Sequence, residues 1–271
     1  MPNSYPIGLF DSGLGGLSIW RALVNHLPQE AMHYLADSAY CPYGARPAAE
    51  IIRRARTITY FLLDHGCKLI VVACNTASAA ALETLRTEFD VPIVGLEPAV
   101  KPAAHATRTG HIGVLATAGT VHGDLFRNTS QRYANGIQVH VQIAEGLVEQ
   151  IETGHLDSPV TQQLLYQYLT PMLTAGVDQI VLGCTHYPLL MPLIQHIVGG
   201  QAEIIEPAQA VARQVERILT LKNILHPAAL TGPNGQLPHH TFYTTGQPRT
   251  FQFHNGQINR EHSIFFEPID L

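Results

Sequence analysis

Short apolar segments alternate with longer segments of helical spacing along most of this chain. Eight segments are predicted as buried strands: Ile7–Phe10, Met32–Ala36, Leu69–Ala73, Ile93–Gly95, Ile112–Ala116, Gln138–Ile143, Gln179–Gly183 and Glu203–Ile205. Helical spacing is found in the stretches Ala48–His65, Ser78–Phe89, Pro159–Ala175 and Pro207–Lys222. This alternation is typical of parallel sheets covered by helices on both faces. We therefore predict an α/β fold of doubly wound parallel sheets, whose ligands bind beyond the carboxyl ends of the strands.

The composition fits a folded protein with room for two domains. The 271 residues are 46% hydrophobic and 14% charged, with a net charge of −5, so sizeable cores can form. We expect no nucleic-acid partner, and we interpret Arg53-Arg54-Ala55-Arg56 as the solvated face of a helix. No apolar run approaches the roughly 18 residues of a membrane span, and no targeting segment is visible. We therefore expect a cytoplasmic protein with no membrane partner.

The cysteines are Cys41, Cys67, Cys74 and Cys184. In a chain of this length without a signal peptide, free thiols are expected rather than disulfides. There is no CxxC motif, and the only tight Cys/His pair is Cys184-Thr185-His186. We therefore expect no metal site.

Two of the cysteines occur in segments with the same layout. Residues 69–76 and 179–186 each consist of an apolar strand, a small residue, a cysteine and then hydrogen-bonding residues that are predicted to open a helix. A cysteine there lies at the open carboxyl edge of a sheet, where a helix N-terminus favours the thiolate. A buried cysteine can also be a plain apolar residue, but its repetition at the same place favours a function. The repeat indicates two similar domains, with Cys74 and Cys184 facing one cleft.

Other strand ends also carry polar residues. Asp11-Ser12-Gly13-Leu14-Gly15-Gly16 follows the first strand, and its glycines and N–H groups can approach a carboxylate or phosphate. The segment lacks the GxGxxG pattern, so a nucleotide is not indicated. Asp11 is either a helix cap, a ligand for an ammonium group, or a support for a catalytic group.

The same two interpretations, structural or ligand-binding, apply to the remaining candidates. Tyr43 and Gly44 form a Pro/Gly turn or close over a small ligand. Asn75, Thr76, Thr185 and His186 are helix caps, or they supply hydroxyl, amide and N–H groups to an amino acid. Glu149 and Glu152 lie in a helical segment, residues 145–153, and either can be a plain solvated carboxylate.

Several of these motifs together resemble the bacterial glutamate racemase family. They are Phe10–Gly16, Pro42-Tyr43-Gly44, Ala73-Cys74-Asn75-Thr76-Ala77 and Gly183-Cys184-Thr185-His186-Tyr187-Pro188-Leu189. Residues 91–99 and 116–120 resemble the family's connecting motifs, so the resemblance spans residues 7 to about 210. Cys41 departs from the pattern of many relatives, and we interpret it as a bystander thiol near the site.

The resemblance implies a cofactor-independent racemase that interconverts L- and D-glutamate for peptidoglycan synthesis. It implies two pseudo-symmetric domains, residues 1–97 plus 209–271 and residues 98–208, with the active site between them. It assigns catalysis to Cys74, Cys184, Asp11, His186 and Glu152, and it assigns substrate binding to Asp11, Ser12, Tyr43, Gly44, Asn75, Thr76, Thr117, Thr120, Thr185 and His186. We expect a homodimer whose small-molecule partner is glutamate.

Two thiols suit this chemistry, since one can remove the Cα proton while the other delivers a proton to the opposite face. Many amino-acid racemases instead use pyridoxal phosphate on a lysine, but Lys68, Lys101 and Lys222 are the only lysines, and none follows a predicted strand in a phosphate-binding motif. Three alternatives stay open: an aspartate racemase or other relative, a cysteine hydrolase built on Cys184 and His186, and a non-catalytic amino-acid-binding protein.

The C-terminal region is rich in proline and glycine. Residues 226–252 are predicted to be mainly loops, with one strand near His240–Thr244. A further strand is predicted near Ser263–Phe266.

Overall fold

We describe the chain from a computed structural model that covers residues 3–227, 238–247, 250–252 and 263–271. The strands in these ranges are β1 (Ile7–Asp11), β2 (Met32–Ala36), β3 (Leu69–Val72), β4 (Ile93–Gly95), β5 (His111–Ala116), β6 (Gln138–Ile143), β7 (Gln179–Gly183), β8 (Glu203–Ile205), β9 (Thr241–Thr244), β10 (Thr250–Gln252), β11 (Ser263–Phe265) and β12 (Glu267–Pro268). The helices are α1 (Leu17–His26), α2 (Ala48–Asp64), α3 (Asn75–Glu88), α4 (Val100–Ala106), α5 (Ala118–His122), α6 (Asp124–Tyr133), α7 (Leu147–Glu152), α8 (Pro159–Thr174), α9 (Met191–Val198) and α10 (Ala208–Leu221).

Ten of the described strands form two parallel sheets, and β10 and β11 form a separate antiparallel pair. The first has the order β12-β9-β2-β1-β3-β4, and the second has the order β6-β5-β7-β8; every pairing within them is parallel. The central order β2-β1-β3-β4 of the first sheet is repeated by the second. Strands β3 and β7, which precede Cys74 and Cys184, therefore occupy the same place in each sheet. The predicted α/β fold with two parallel sheets is confirmed.

Each sheet is buried on both faces because successive side chains of a strand point in opposite directions. In β3, Leu69 and Val71 pack into one apolar core with α1 and α10, whereas Ile70 and Val72 pack into another with α2 and α3. The second sheet is flanked in the same way by two further cores. These cores fix the strand ends, and with them the residues of the carboxyl edges.

The strand predictions agree closely with the structure. All eight predicted strands are present, with ends that differ by no more than one residue, and all four predicted helices are present. The predicted C-terminal strands correspond to β9 and β11. The loop prediction for residues 226–252 was wrong at Thr250–Gln252, which form β10 by pairing with β11 from later in the chain. Part of that prediction falls on residues 228–237 and 248–249, which lie outside the described ranges.

The prediction that a helix opens directly after Cys184 was wrong. A short 3₁₀ turn, Tyr187–Leu190, follows, and α9 begins only at Met191. A continuous helix would need an N–H from Pro192 to the carbonyl of Pro188, and proline has none. After Cys74 the prediction holds, since α3 begins at Asn75 with Cys74 as its N-cap.

The basic cluster in α2 is also not a uniformly solvated face. Arg53 is exposed, and Arg56 is partly exposed and pairs with Glu88. Arg54, however, is only 1% exposed and forms a two-pronged ion pair with buried Asp37. The interpretation as a solvated face was therefore wrong for Arg54, because the cluster rotates through the α2 surface that meets the first sheet.

The C-terminal strands β9 and β12 extend the first sheet beyond β2. The segment after the second sheet thus returns to the first, although the exact domain limits, 1–97 plus 209–271 and 98–208, stay predictions. Within the described part of the chain, no helix combines the length and the apolar character needed to cross a bilayer.

Candidate active site

The carboxyl edges of the two sheets meet around one small cavity. It is lined by Ser12, Pro42, Tyr43, Gly44, Cys74, Asn75, Thr76, Thr117, Val148, Cys184, Thr185 and His186. Its enclosed volume is about 10 Å³. That is close to the space of one water molecule, so the cavity is nearly closed.

Cys74 is placed by β3 and by the start of α3. Its Sγ accepts the Ala77 N–H at 3.5 Å and lies 3.9 Å from the Ser12 hydroxyl, which in turn lies 3.4 Å from Asp11 Oδ1. Burial, together with the Asp11 carboxylate, raises the pKa of Cys74 well above its usual value, and the Ala77 N–H only partly offsets this. The helix N-terminus thus favours the Cys74 thiolate through the Ala77 N–H, as expected, but burial is the larger effect on the pKa.

Cys184 has a different set of neighbours. Its Sγ lies 3.8 Å from His186 Nδ1, and His186 Nε2 lies 2.7 Å from Glu152 Oε1. Burial lowers the pKa of His186, but its hydrogen bonds to Cys184, Cys41 and Glu152 outweigh burial and hold the pKa well above the usual value. The imidazole thus connects one sulfur of the cavity to a carboxylate outside it.

Asp11 lies beneath the cavity rather than in its wall. It is fully buried at the end of β1, where Oδ1 accepts the Gly13 N–H at 2.7 Å and Oδ2 accepts the Thr185 hydroxyl at 2.8 Å. Burial raises the pKa of Asp11, although His186 and these two hydrogen bonds lower it. Asp11 thereby ties the end of β1 to the loop that carries Cys184.

The cavity also contains an unusual buried amide. Asn75 is 3% exposed, and neither its side-chain nitrogen nor its side-chain oxygen has a hydrogen-bond partner. A buried amide without partners is energetically costly, and this one lines the cavity. Its donors and acceptor are therefore available to a ligand.

Three threonine hydroxyls join the first sheet's edge to the second. Thr76 lies 2.9 Å from Thr117 and 3.4 Å from Thr120, and Thr117 lies 3.0 Å from Thr120. Thr76 and Thr117 line the cavity, whereas Thr120 supports them from behind. Because each hydroxyl can both donate and accept, the cluster can reorganise around a ligand carboxylate.

A buried ion pair holds the loop above the cavity. The Tyr43 hydroxyl donates to Asp37 Oδ2 at 2.5 Å, and Arg54 donates to both Asp37 oxygens at 2.9 and 2.7 Å. The Thr245 hydroxyl, beyond the end of β9, also donates to Asp37 at 2.8 Å. Burial and the Asp37 carboxylate raise the pKa of Tyr43, so this hydroxyl stays a donor.

Most of the predicted site residues are brought together. Asp11, Thr120 and Glu152 do not line the cavity but contact residues that do. The sequence predictions missed Pro42 and Val148 as lining residues, and Asp37 and Arg54 as supports. Val148 has only the signal of an apolar residue in a short helix, and the Asp37–Arg54 pair has no local sequence signal. Lys68, Lys101 and Lys222 do not line this cavity.

Comparison with known proteins gives a consistent family. A sequence model of the Asp/Glu/hydantoin racemase family matches residues 8–215. A glutamate racemase of Roseiflexus sp. (strain RS-1) is 49% identical over 248 residues, which cover 91% of this chain and 89% of that protein.

Solved structures agree. Glutamate racemase from Bacillus anthracis has a TM-score of 0.81 at 30% identity, covering 99% of this chain and 98% of that one. Glutamate racemase from Francisella tularensis, in complex with D-glutamate, has a TM-score of 0.76 at 29% identity, covering 91% and 90%. The chain therefore belongs to the Asp/Glu/hydantoin racemase family and is an isomerase.

Proposed function

We propose that this protein interconverts L- and D-glutamate, without a cofactor, by moving the Cα proton between Cys74 and Cys184. The observation that carries the proposal is that two thiols from equivalent places in the two sheets line the same cavity. Relatives named glutamate racemase, one of them solved with D-glutamate, support glutamate as the substrate.

In the proposed reaction each sulfur serves one face of the substrate. The thiolate of one cysteine takes the Cα proton and becomes a thiol, and the thiol of the other gives its proton to the opposite face and becomes a thiolate. The reverse reaction exchanges the roles. After each turnover the two sulfurs have exchanged protonation states, so proton exchange with neighbours or solvent must reset them.

The supports of the two sulfurs differ. Cys74 can pass its proton toward Asp11 through the Ser12 hydroxyl, because these groups form a chain with spacings of 3.9 and 3.4 Å. Cys184 lies beside the imidazole of His186, which Glu152 orients. We assign Asp11, His186 and Glu152 to this handling and positioning of the thiol protons.

The carbanion is stabilised by fixed dipoles in a site that excludes water. We assign the binding of the ammonium and carboxylate groups of glutamate to the Asn75 amide, the Tyr43-Gly44 turn and the hydroxyls of Ser12, Thr76, Thr117 and Thr185. Thr120 supports this set. Since the closed cavity holds about one water, glutamate enters only when the carboxyl edges of the two sheets move apart.

The Cys184–His186–Glu152 arrangement also resembles the nucleophile, base and acid of a cysteine hydrolase. A hydrolase of this kind would leave Cys74 without a role in the cavity. The racemase family and the second thiol both favour isomerisation. An aspartate racemase would use the same thiols, so comparison of the two amino acids as substrates decides between them. The roles in peptidoglycan synthesis, the cytoplasmic location and the homodimer stay predictions.

The test is exchange of the Cα proton with solvent. The protein is incubated with L- or D-glutamate in D₂O without added cofactor, and optical rotation and Cα deuterium are followed. We expect loss of rotation together with deuterium in the product; if no deuterium enters, the proposal is wrong. Cys74→Ser and Cys184→Ser should each lower racemisation by about 100-fold or more, whereas Cys67→Ser, in the apolar core, should not. Near wild-type turnover in either of the first two variants would contradict the two-thiol mechanism.

A further inference from the structure

A third thiol lies behind the catalytic pair. Cys41 follows the 3₁₀ turn Ser38–Tyr40 after β2 and is partly buried. Its Sγ lies 2.9 Å from where a Cβ on Gly13 would be, and the Glu152 Oε1 lies only 2.0 Å from that point. Gly13 therefore leaves the space into which the Cys41 sulfur and the Glu152 carboxylate project.

His186 completes a cluster of three different donors. One donor atom each from Cys41, Glu152 and His186 lies within 4.8 Å of the other two. The three side chains come from separate elements: the loop after β2, the end of α7 and the loop after β7. Among the described residues, no other group of three or more histidine, cysteine, aspartate or glutamate side chains is close enough to share one ion.

We propose that Cys41, Glu152 and His186 form a binding site for a thiophilic divalent cation, with Zn²⁺ as the best match, and that occupancy inhibits the enzyme. Thiolate, imidazole and carboxylate are the usual ligands of zinc, and three protein ligands leave a fourth position for water. Magnesium and calcium prefer sites built of oxygen atoms, so they should not compete.

The required rearrangement is small. Zinc–ligand distances of about 2.0–2.3 Å place tetrahedral ligand atoms about 3.3–3.6 Å apart. The donors span up to 4.8 Å, and His186 Nε2 is 2.7 Å from Glu152 Oε1, so shifts of about 1 Å suffice. The Glu152 side chain is 14% exposed, which gives its carboxylate room to turn.

Binding replaces protons with the ion. Cys41 releases its thiol proton to solvent, and the proton between His186 and Glu152 is also released, so one Zn²⁺ replaces the two protons. Oxidation states do not change. The cation also offsets the negative charge of Asp11 and Glu152 around the thiols.

Inhibition rests on the proposed function. The ion would replace the hydrogen bond between His186 Nε2 and Glu152. The ring would then shift toward the ion, which would alter the 3.8 Å contact between Nδ1 and Cys184. His186 could then no longer assist proton handling at Cys184. Cys41 helps to raise the pKa of His186, so the inhibition of Cys41→Ser is measured against that variant's own turnover with chelator.

The test compares metal binding with turnover. Zn²⁺ binding is measured by equilibrium dialysis and elemental analysis, and Co²⁺ is titrated to detect the thiolate-to-cobalt absorption band. The proteins are wild type, Cys41→Ser, the matched control Cys67→Ser, and the double variant Cys74→Ser/Cys184→Ser. We expect one Zn²⁺ per chain and the cobalt band in all except Cys41→Ser, whose affinity should fall by about 100-fold.

Racemisation is measured in parallel with Zn²⁺ or with a chelator. Wild type and Cys67→Ser should be inhibited by Zn²⁺ and recover with chelator, whereas Cys41→Ser should resist inhibition. Unchanged affinity in Cys41→Ser would overturn the site. Loss of the cobalt band in the double variant would also overturn it and would place the ion on Cys74 and Cys184. Tight binding without inhibition would overturn the inhibitory role. If wild type does not racemise glutamate even with chelator, the proposed function fails, and the binding data still decide the site.

Discussion

His186 Nε2 lies 2.7 Å from Glu152 Oε1, although the two residues are 34 positions apart in the chain. The same carboxylate oxygen accepts the Leu14 N–H at 2.6 Å. Glu152 therefore restricts the imidazole ring of His186 to one orientation, with Nδ1 toward Cys184. At the same time it fixes the loop after β1.

Glu152→Gln should lower kcat by about 10- to 100-fold in both directions of racemisation, with a much smaller change in KM. The amide keeps the shape but loses the charge that orients the protonated ring, and Glu152 does not line the cavity. Steady-state kinetics with chelator present provide the measurement. Glu149→Gln, an exposed position in the same helix, is the control and should behave like wild type. Equal kinetics for the two variants would remove Glu152 from the positioning role.

The raised pKa of Cys74 gives a prediction about its reactivity. Burial and Asp11 raise this pKa, so at neutral pH Cys74 should be a thiol and should react slowly with iodoacetamide, faster as the pH rises. Asp11→Asn removes the negative charge and should shift the rise to lower pH. Alkylation of Cys74 is followed by peptide mass spectrometry across a pH series. Asp90→Asn, at an exposed residue, should leave the profile in place; an unshifted profile in Asp11→Asn would contradict the coupling.

Features of this site that depend on neighbouring residues in the sequence could be predicted, whereas features that depend on contacts between distant residues could not. Strand and helix limits were predictable because apolar periodicity and buried strands are local properties of sequence, and the carboxyl-edge rule placed Ser12, Asn75 and Thr185 at one cavity. The placement of Asp11 below the cavity was not predictable. It depends on a hydrogen bond to Thr185 from the other sheet's loop.

The less local features were missed for the same reason. Arg54 belongs to a basic cluster that resembles a solvated face, and only the packing of α2 on the first sheet brings it to Asp37. The helix expected after Cys184 failed because two prolines act four residues apart, which the repeat of strand and cysteine concealed. The closeness of Cys41 to Glu152 and His186 likewise appears only in three dimensions, and the interpretation of Cys41 as a bystander stays a prediction.

The buried pair of Arg54 and Asp37 gives a prediction about stability. Their side chains are 1% and 0% exposed, so Arg54→Ala would leave a buried carboxylate without its cation. The free energy of unfolding should fall by about 3–5 kcal/mol, measured by urea denaturation. The adjacent Arg53 is exposed, and Arg53→Ala should change stability by no more than about 0.5 kcal/mol. Similar losses in both variants would show that the ion pair is not the cause.

Gly15 gives a prediction about both activity and stability because it lies close to the loop that carries Thr185 and His186. A Cβ at this position would lie 2.5 Å from His186 Nδ1, 2.7 Å from the His186 backbone nitrogen and 2.7 Å from Thr185 Oγ1. Backbone at that distance must move, so Gly15→Ala should displace His186 and weaken the 2.8 Å bond from Thr185 to Asp11. We expect kcat to fall by about 100-fold, with a stability loss of about 1–3 kcal/mol from overpacking.

Gly110→Ala is the matched control for Gly15→Ala. Gly110 has a φ of +77° and open space around its Cβ position, so alanine there should cost about 1 kcal/mol through backbone strain alone and leave kcat unchanged. Urea denaturation and steady-state kinetics on both variants provide the comparison. If Gly15→Ala loses stability but keeps wild-type turnover, then the contact between the glycine-rich loop and His186 does not position the ring for catalysis.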